Sequence, residues 1–173
     1  MTPALSLRPL RVADADAMVE VLADPSLHLF TGDEPPTREE LAARYARQVV
    51  GRSADGSEQW LNWIVLAGPD QRPVGYVQAT VPVDGDTAEI SWVIGTPWQG
   101  RGHATGAARL MVKELARRGV HHLVAHIHPD HEASSRVATH LGLTPTDVMV
   151  DGEIRWIGRT GHPSCAAVTL GTC

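Results

Sequence analysis

The stretch from Ala88 to Ala108, AEISWVIGTPWQGRGHATGAA, constrains this chain more than any other. It opens as an apolar-rich strand, Ala88 to Ile94, with Glu89, Ser91 and Val93 on one face and Ile90, Trp92 and Ile94 on the other. Gly95-Thr96-Pro97 turns the chain, and a helix-forming run extends from about Gly102 to Arg118. A glycine-bearing loop between a strand and a helix leaves several backbone N–H groups without partners, and the helix dipole adds about +0.5 charge at the same place. That combination is a site for phosphate. Gly100 and Gly102 let a ligand approach the backbone where a Cβ would stand in the way.

The spacing narrows the phosphate ligand. Only two glycines lie in the loop and no acidic residue ends a following parallel strand, so the dinucleotide fingerprint is not met. No Gly-Lys-Ser/Thr follows four residues after a glycine, which excludes a P-loop. Gln99, Gly102 and Ala104 instead form the pattern Gln/Arg-x-x-Gly-x-Gly/Ala. In that respect the chain resembles the GNAT N-acetyltransferases, whose loop of this pattern holds the pyrophosphate of acetyl-CoA. An ordinary strand–turn–helix connection is the plain alternative.

Composition sets the bounds on partners. The 173 residues suit a single domain, 1–173, large enough to bury a core without disulfides or metal staples. A net charge of −5 gives no support for nucleic-acid binding and suits a cationic acceptor such as an amine. Cys165 and Cys173 lie together at the end of the chain, which is no disulfide framework. No apolar run is long enough to span a bilayer, and the first residues lack a charged-then-apolar leader pattern. The expectation is a cytoplasmic protein without a membrane partner.

In chain order, Leu5, Leu7 and Pro9-Leu10 read as a short strand, and Asp14 caps a helix over Ala15–Leu22 that turns Ala17, Met18, Val21 and Leu22 to one face. After a loop from His28 to Pro36, Thr37 and Glu40 form a capping box for a second helix, reaching about Val50. Trp60–Ala67, Pro73–Val81 and the strand carrying Glu89 follow with tight turns between them, an antiparallel meander. Beyond the motif helix come a strand from His122 to His128, a helix from about Glu132 to Leu141 closed by Gly142, and a hairpin turning at Asp151-Gly152. Residues 158–173 read as a tail, in which Ala166–Leu170 can add an edge strand.

The order β-α-α-β-β-β-α-β-α-β-β matches the GNAT fold, and the resemblance covers about residues 5–157. Leu7-Arg8-Pro9-Leu10 with Asp14, Ala133-Ser134-Ser135-Arg136-Val137 and Leu141-Gly142-Leu143 look like the branch containing the ribosomal-protein N-terminal acetyltransferases. The resemblance implies an α/β (α+β) domain: a mixed, mostly antiparallel twisted sheet of six to seven strands, about four flanking helices, and a splayed strand pair holding CoA. It implies that Trp92, Val93 and Ile94 offer backbone groups to the pantetheine arm. It implies too that Gly100, Arg101, Gly102, His103, Ala104 and Thr105, after Gln99, hold the pyrophosphate.

Acetyl transfer needs a sink for the amine's proton, a donor to the oxyanion and a proton for the leaving thiolate. By position in the family, Glu89 is the candidate base, acting through a water, with its carboxyl raised by a half-buried setting; pairing with a lysine or arginine is its structural alternative. The N–H near Ile94 serves the oxyanion. Many relatives protonate the thiolate with a tyrosine where this chain has Ala138, so Ser134 is the substitute, or else a helix-start hydroxyl bonding its own backbone. His131 stands where the family usually has an asparagine contacting the cofactor, and its charge varies with pH.

His122, His126 and His128 share one strand face, but their spacing is poor for zinc and no metal is expected. Asp33, Glu34, Asp147, Asp151 and Glu153 are candidates for an acidic rim around an amine. No cysteine lies near the motifs to carry an acyl group, so direct attack in a ternary complex is the implied route. The resemblance thus implies transfer from acetyl-CoA to a primary amine of a small molecule. A protein N-terminus and a non-catalytic acyl-CoA sensor remain alternatives, as does a homodimer in which a second subunit closes the pocket.

Overall fold

Alternating apolar residues build the sheet, and the two sides of that alternation bury two separate cores. A computed structural model describes residues 4–161. The strands are β1 (Leu5–Pro9), β2 (Glu58–Ala67), β3 (Arg72–Pro82), β4 (Thr87–Ile94), β5 (His122–Ile127), β6 (Thr144–Val150) and β7 (Glu153–Arg159). The helices are α1 (Ala15–Val21), α2 (Arg38–Gln48), α3 (His103–Arg117) and α4 (Glu132–His140), with short 3₁₀ turns at Val12–Asp14, Pro25–His28 and Thr96–Trp98. The seven strands lie in the order β1-β2-β3-β4-β5-β7-β6. All neighbours are antiparallel except β4 and β5, which are parallel and joined by the α3 crossover.

On one face, Val65, Val77, Ala88 and Ile90 pack against Ala107, Met111 and Leu115 of α3 and against Ala138 and Leu141 of the α4 region. On the other, Ile64 and Leu66 meet Met18, Val21 and Leu22 from α1 and Leu41 and Tyr45 from α2. Each fully buried Leu, Ile or Met contributes about 1.5–3 kcal/mol relative to exposure. The meander β2–β3–β4 and the element order agree with the sequence reading.

Local signals explain most boundaries. The Thr37–Glu40 box is formed in both directions: Glu40 N–H donates to Thr37 Oγ1 at 3.2 Å and Thr37 N–H to Glu40 Oε2 at 2.9 Å. Asp151 and Gly152 both have positive φ, +50° and +84°, as a type I′ turn requires. Two details differ from expectation. Asp14 precedes α1 but its side chain does not cap that helix, because Arg8 and the Arg11 N–H, the N-cap amide of the preceding 3₁₀ turn, take its two oxygens at 2.6 and 2.7 Å. Ala17 is exposed, since the 3₁₀ turn at Val12–Asp14 rotates the buried face of α1 to Ala15, Met18 and Val21. Strand β7 runs to Arg159, past the expected start of the tail, and the proposed edge strand at Ala166–Leu170 lies outside the described residues.

Candidate active site

At the start of α3 the backbone itself makes the site. Gly102 is the N-cap at φ +78° and supplies no side chain, and the first intrahelical bond is Gly106 N–H to Gly102 O at 2.9 Å. The N–H groups of His103, Ala104 and Thr105 therefore have no helical acceptor. Gly100, at φ +73°, shares the left-handed conformation, and no atom lies within 4 Å of where a Cβ on either glycine would stand. Gln99 ties this loop to the strand, its Nε2 donating to Ile94 O at 2.9 Å.

The second element is a gap in the sheet. β4 and β5 pair over three rungs only, Thr87–His122, Ala88–Leu123 and Glu89–Val124, and then part. The ladder on the other edge of β4 fixes which groups face the gap. Gly95 N–H donates to Val74 O at 2.8 Å, so by antiparallel alternation Val93 and Ser91 are bonded to β3. Trp92 and Ile94 then direct their N–H and C=O groups towards the gap and Ile90 its C=O, since the Glu89–Val124 rung takes the Ile90 N–H and Gln99 already donates to Ile94 O. Val93 faces it with its side chain alone, which corrects the expectation that all three residues offer backbone groups to a ligand.

A chamber of about 650 Å³ joins loop and gap. Trp92, Val93, Ile94, Gln99, Gly100, Gly102, His103, Ala104, Thr105, His131 and Ser134 all line it, whereas Arg101 does not and stays exposed. His103 is itself 5% exposed, and burial together with Arg101 lowers its pKa, so the ring favours its neutral form. These features suit a pyrophosphate-bearing ligand with an extended arm: amides at a helix N-terminus for the phosphates and free strand edges for amide groups.

A smaller chamber of about 330 Å³ lies on the far side of the gap and shares Phe30, Trp92, Val93, His131 and Ser134 with the first. At its α4 end, His131 Nδ1 accepts from Ser134 N–H at 3.4 Å, which puts the ring proton on Nε2. Nε2–H then donates to Ser134 Oγ at 3.2 Å, leaving the Ser134 hydroxyl proton free to donate elsewhere. The Ser134 side chain thus does not bond its own backbone. Burial and the nearby His128 lower the His131 pKa, and Phe30 stacks on the ring at 4.5 Å.

Glu89 lines the smaller chamber, but not as a half-buried carboxylate. Its side chain is 61% exposed, and its partner is a histidine rather than a lysine or arginine: His126 Nδ1 lies 3.1 Å from Oε1. Sequence reasoning missed this pair because the two residues are 37 apart and meet only through the parallel register of β4 and β5. Of the five acids considered for a rim, Glu153 lines the chamber and Asp33, Glu34, Asp147 and Asp151 do not. The strand histidines pair separately with carboxylates, His122 with Asp86 at 3.7 Å and His128 with Asp130 at 3.9 Å. Among the described residues no three His, Cys, Asp or Glu side chains gather as a metal-holding group.

The profile of the acetyltransferase (GNAT) domain matches residues 4–144. No curated protein matches the chain by sequence. Solved structures with this fold include an acetyltransferase (GNAT family) from Bacillus anthracis, at TM-score 0.75 and 17% identity, covering 94% of this chain and 98% of that one. Another is the spermidine N-acetyltransferase from Vibrio cholerae in complex with CoA and spermine, at TM-score 0.72 and 16% identity, covering 90% and 95%. The aminoglycoside acetyltransferase AAC(6′)-Ib in complex with coenzyme A is similar at TM-score 0.73 and 18% identity, covering 90% and 95%. The uncapped helix, the parted strands and the profile over residues 4–144 converge: the chain belongs to the GNAT family of acetyl-CoA-dependent N-acetyltransferases.

Proposed function

We propose that this protein moves the acetyl group of acetyl-CoA to a primary amine of a small molecule, by direct attack in a ternary complex. The observation that carries the reading is the junction of two chambers at the β4–β5 gap, one backed by free amides and one by proton-bearing side chains. The amides of His103, Ala104 and Thr105 hold the pyrophosphate, and the gap-facing groups of Trp92 and Ile94 take the pantetheine arm. The Ile94 N–H donates to the oxyanion of the tetrahedral intermediate. Glu89 belongs to the amine's proton path, and Ser134 gives its free proton to the leaving sulfur.

The smaller chamber has the size of a small-molecule site. Similar structures named for spermidine and aminoglycoside substrates support an amine acceptor of that class. The acidic charge of the chain, −5, and Glu89 and Glu153 at the chamber favour a cationic acceptor. The test is continuous thiol release from acetyl-CoA against polyamines, aminoglycosides, amino acids and peptides beginning with Ser or Ala. Saturable turnover with a small amine is the expected result. Turnover confined to peptides would replace the acceptor class, and acetyl-CoA binding without turnover on any amine would replace the enzyme by a sensor.

A further inference from the structure

Glu89 sits on the last rung that joins β4 to β5, opposite Val124. His126 lies two residues further along β5, on the same face, at the point where the strands have parted. Its ring is 19% exposed against 61% for the Glu89 carboxylate, and both side chains line the smaller chamber. An ionised carboxylate only accepts, so the 3.1 Å contact puts a proton on His126 Nδ1. The neutral ring then carries its lone pair on Nε2, which has no hydrogen-bond partner among the described residues.

We infer that His126 Nε2, and not the Glu89 carboxylate, is the general base that touches the acceptor amine, with Glu89 as the positioning residue that sets the tautomer and ring orientation. The inference rests on the acetyl-transfer reading and names the group that carries out one step of it. The nitrogen lone pair forms the N–C bond, and the nitrogen's proton passes to Nε2. The C–S bond breaks with its electron pair on sulfur, and the Ser134 hydroxyl gives sulfur a proton. Amine and thioester become amide and thiol; His126 then returns its proton to solvent and Ser134 regains one. A carboxylate behind an imidazole recovers part of the charge that the ring gains in this step. The charged and titratable groups around the ring are Glu89 from β4, Tyr76 from β3, Glu153 from β7, Arg155 directly across from His126 on β7, His128 beyond the end of β5 and His131 from the α4 cap.

The test measures kcat and kcat/KM against pH for the unaltered protein, H126Q, E89Q and the double variant, using an acceptor from the thiol-release panel. Acetyl-CoA titration of each variant verifies folding, and ¹⁵N imidazole spectra of the unaltered protein and E89Q read the tautomer. H126Q should lower kcat about 10²–10⁴-fold and abolish the acidic limb of the pH profile. E89Q should cost roughly 10–100-fold, as for other residues that orient a working imidazole. The double variant should be no slower than H126Q. The spectra should show an Nδ1–H tautomer that E89Q loses. Near-full activity or a retained acidic limb in H126Q overturns the assignment, and so does an Nε2–H tautomer in the unaltered protein. No transfer to any amine despite bound acetyl-CoA overturns the acetyl-transfer reading itself, and the catalytic role of His126 with it.

Discussion

His126 and His131 line the same chamber, and their Nδ1 atoms do opposite things. His126 donates a hydrogen bond from Nδ1–H to a carboxylate, whereas His131 accepts one at Nδ1 from a backbone amide. The first ring is left with a lone pair at Nε2 and can take a proton. The second is left with a proton at Nε2, spends it on Ser134 Oγ, and so frees the hydroxyl proton to be given away. On the proposed reading, two identical side chains serve the two ends of one transfer, and second partners rather than ring chemistry assign the ends. Their electrostatic settings differ as well. His131 is held neutral by burial and by His128, while His126 faces an ionised acid.

After the loss of His126 itself, breaking the donor end should have the largest effect. S134A is expected to lower kcat about 10²-fold while leaving the acidic limb of the pH profile in place, because the proton acceptor is untouched. Steady-state thiol release across pH checks this, and an unchanged kcat would remove Ser134 from the reaction. Next comes the phosphate end, which should be separable from both histidines. G102D puts a carboxylate at the α3 N-terminus, where anions interact by up to about 2 kcal/mol, and should raise the acetyl-CoA Kd about tenfold or more. Calorimetric titration measures it, and an unaltered Kd would refute the loop assignment. F30A removes the ring stacked on His131 at 4.5 Å and should slow kcat about two- to tenfold through the donor end alone. An equal change in the His126 imidazole shifts would show that the two ends are not independent.

The smallest effect concerns stability and its sign. The His131 pKa is lower folded than the ordinary 6.5, so below that value the unfolded chain binds more protons and folding weakens as pH falls. H131N should flatten this dependence in urea midpoints measured at neutral and mildly acidic pH. Solvent around a half-exposed ring keeps the change modest. A steeper acid dependence in H131N would reverse the assigned direction.

The fold was legible where the signal was local. The Thr37–Glu40 box, the Asp151-Gly152 turn and the alternation in β2, β3 and β4 need only neighbours a few residues apart. The loop from Gln99 to Thr105 was legible for the same reason, since glycine spacing and a following helix suffice to expose amides. Tertiary pairing was not. Whether Glu89 meets an arginine, water or His126 depends on the stagger between two parallel strands separated by a helix. Helical periodicity alone puts Ala17 on the buried face, and the 3₁₀ turn before α1 has no strong residue signature. The motif includes Arg101 by its place in the loop, but a spacing pattern does not fix whether its side chain lines the larger chamber, and it does not.

The three rungs that join β4 to β5 make the sheet two leaves on a short seam, β1–β4 in one and β5–β7 with β6 in the other. Beyond Glu89 the leaves are bridged by helices and side chains, not by ladder hydrogen bonds. A pantetheine arm lying along the edge of β4 would act as a missing strand and splint the leaves together. Binding would then lift thermal stability in proportion to RT ln(1 + [L]/Kd) and slow amide exchange at Trp92 and Ile94. Between turnovers the same seam would be the place where the molecule breathes, tying the pace of product release to the sheet itself.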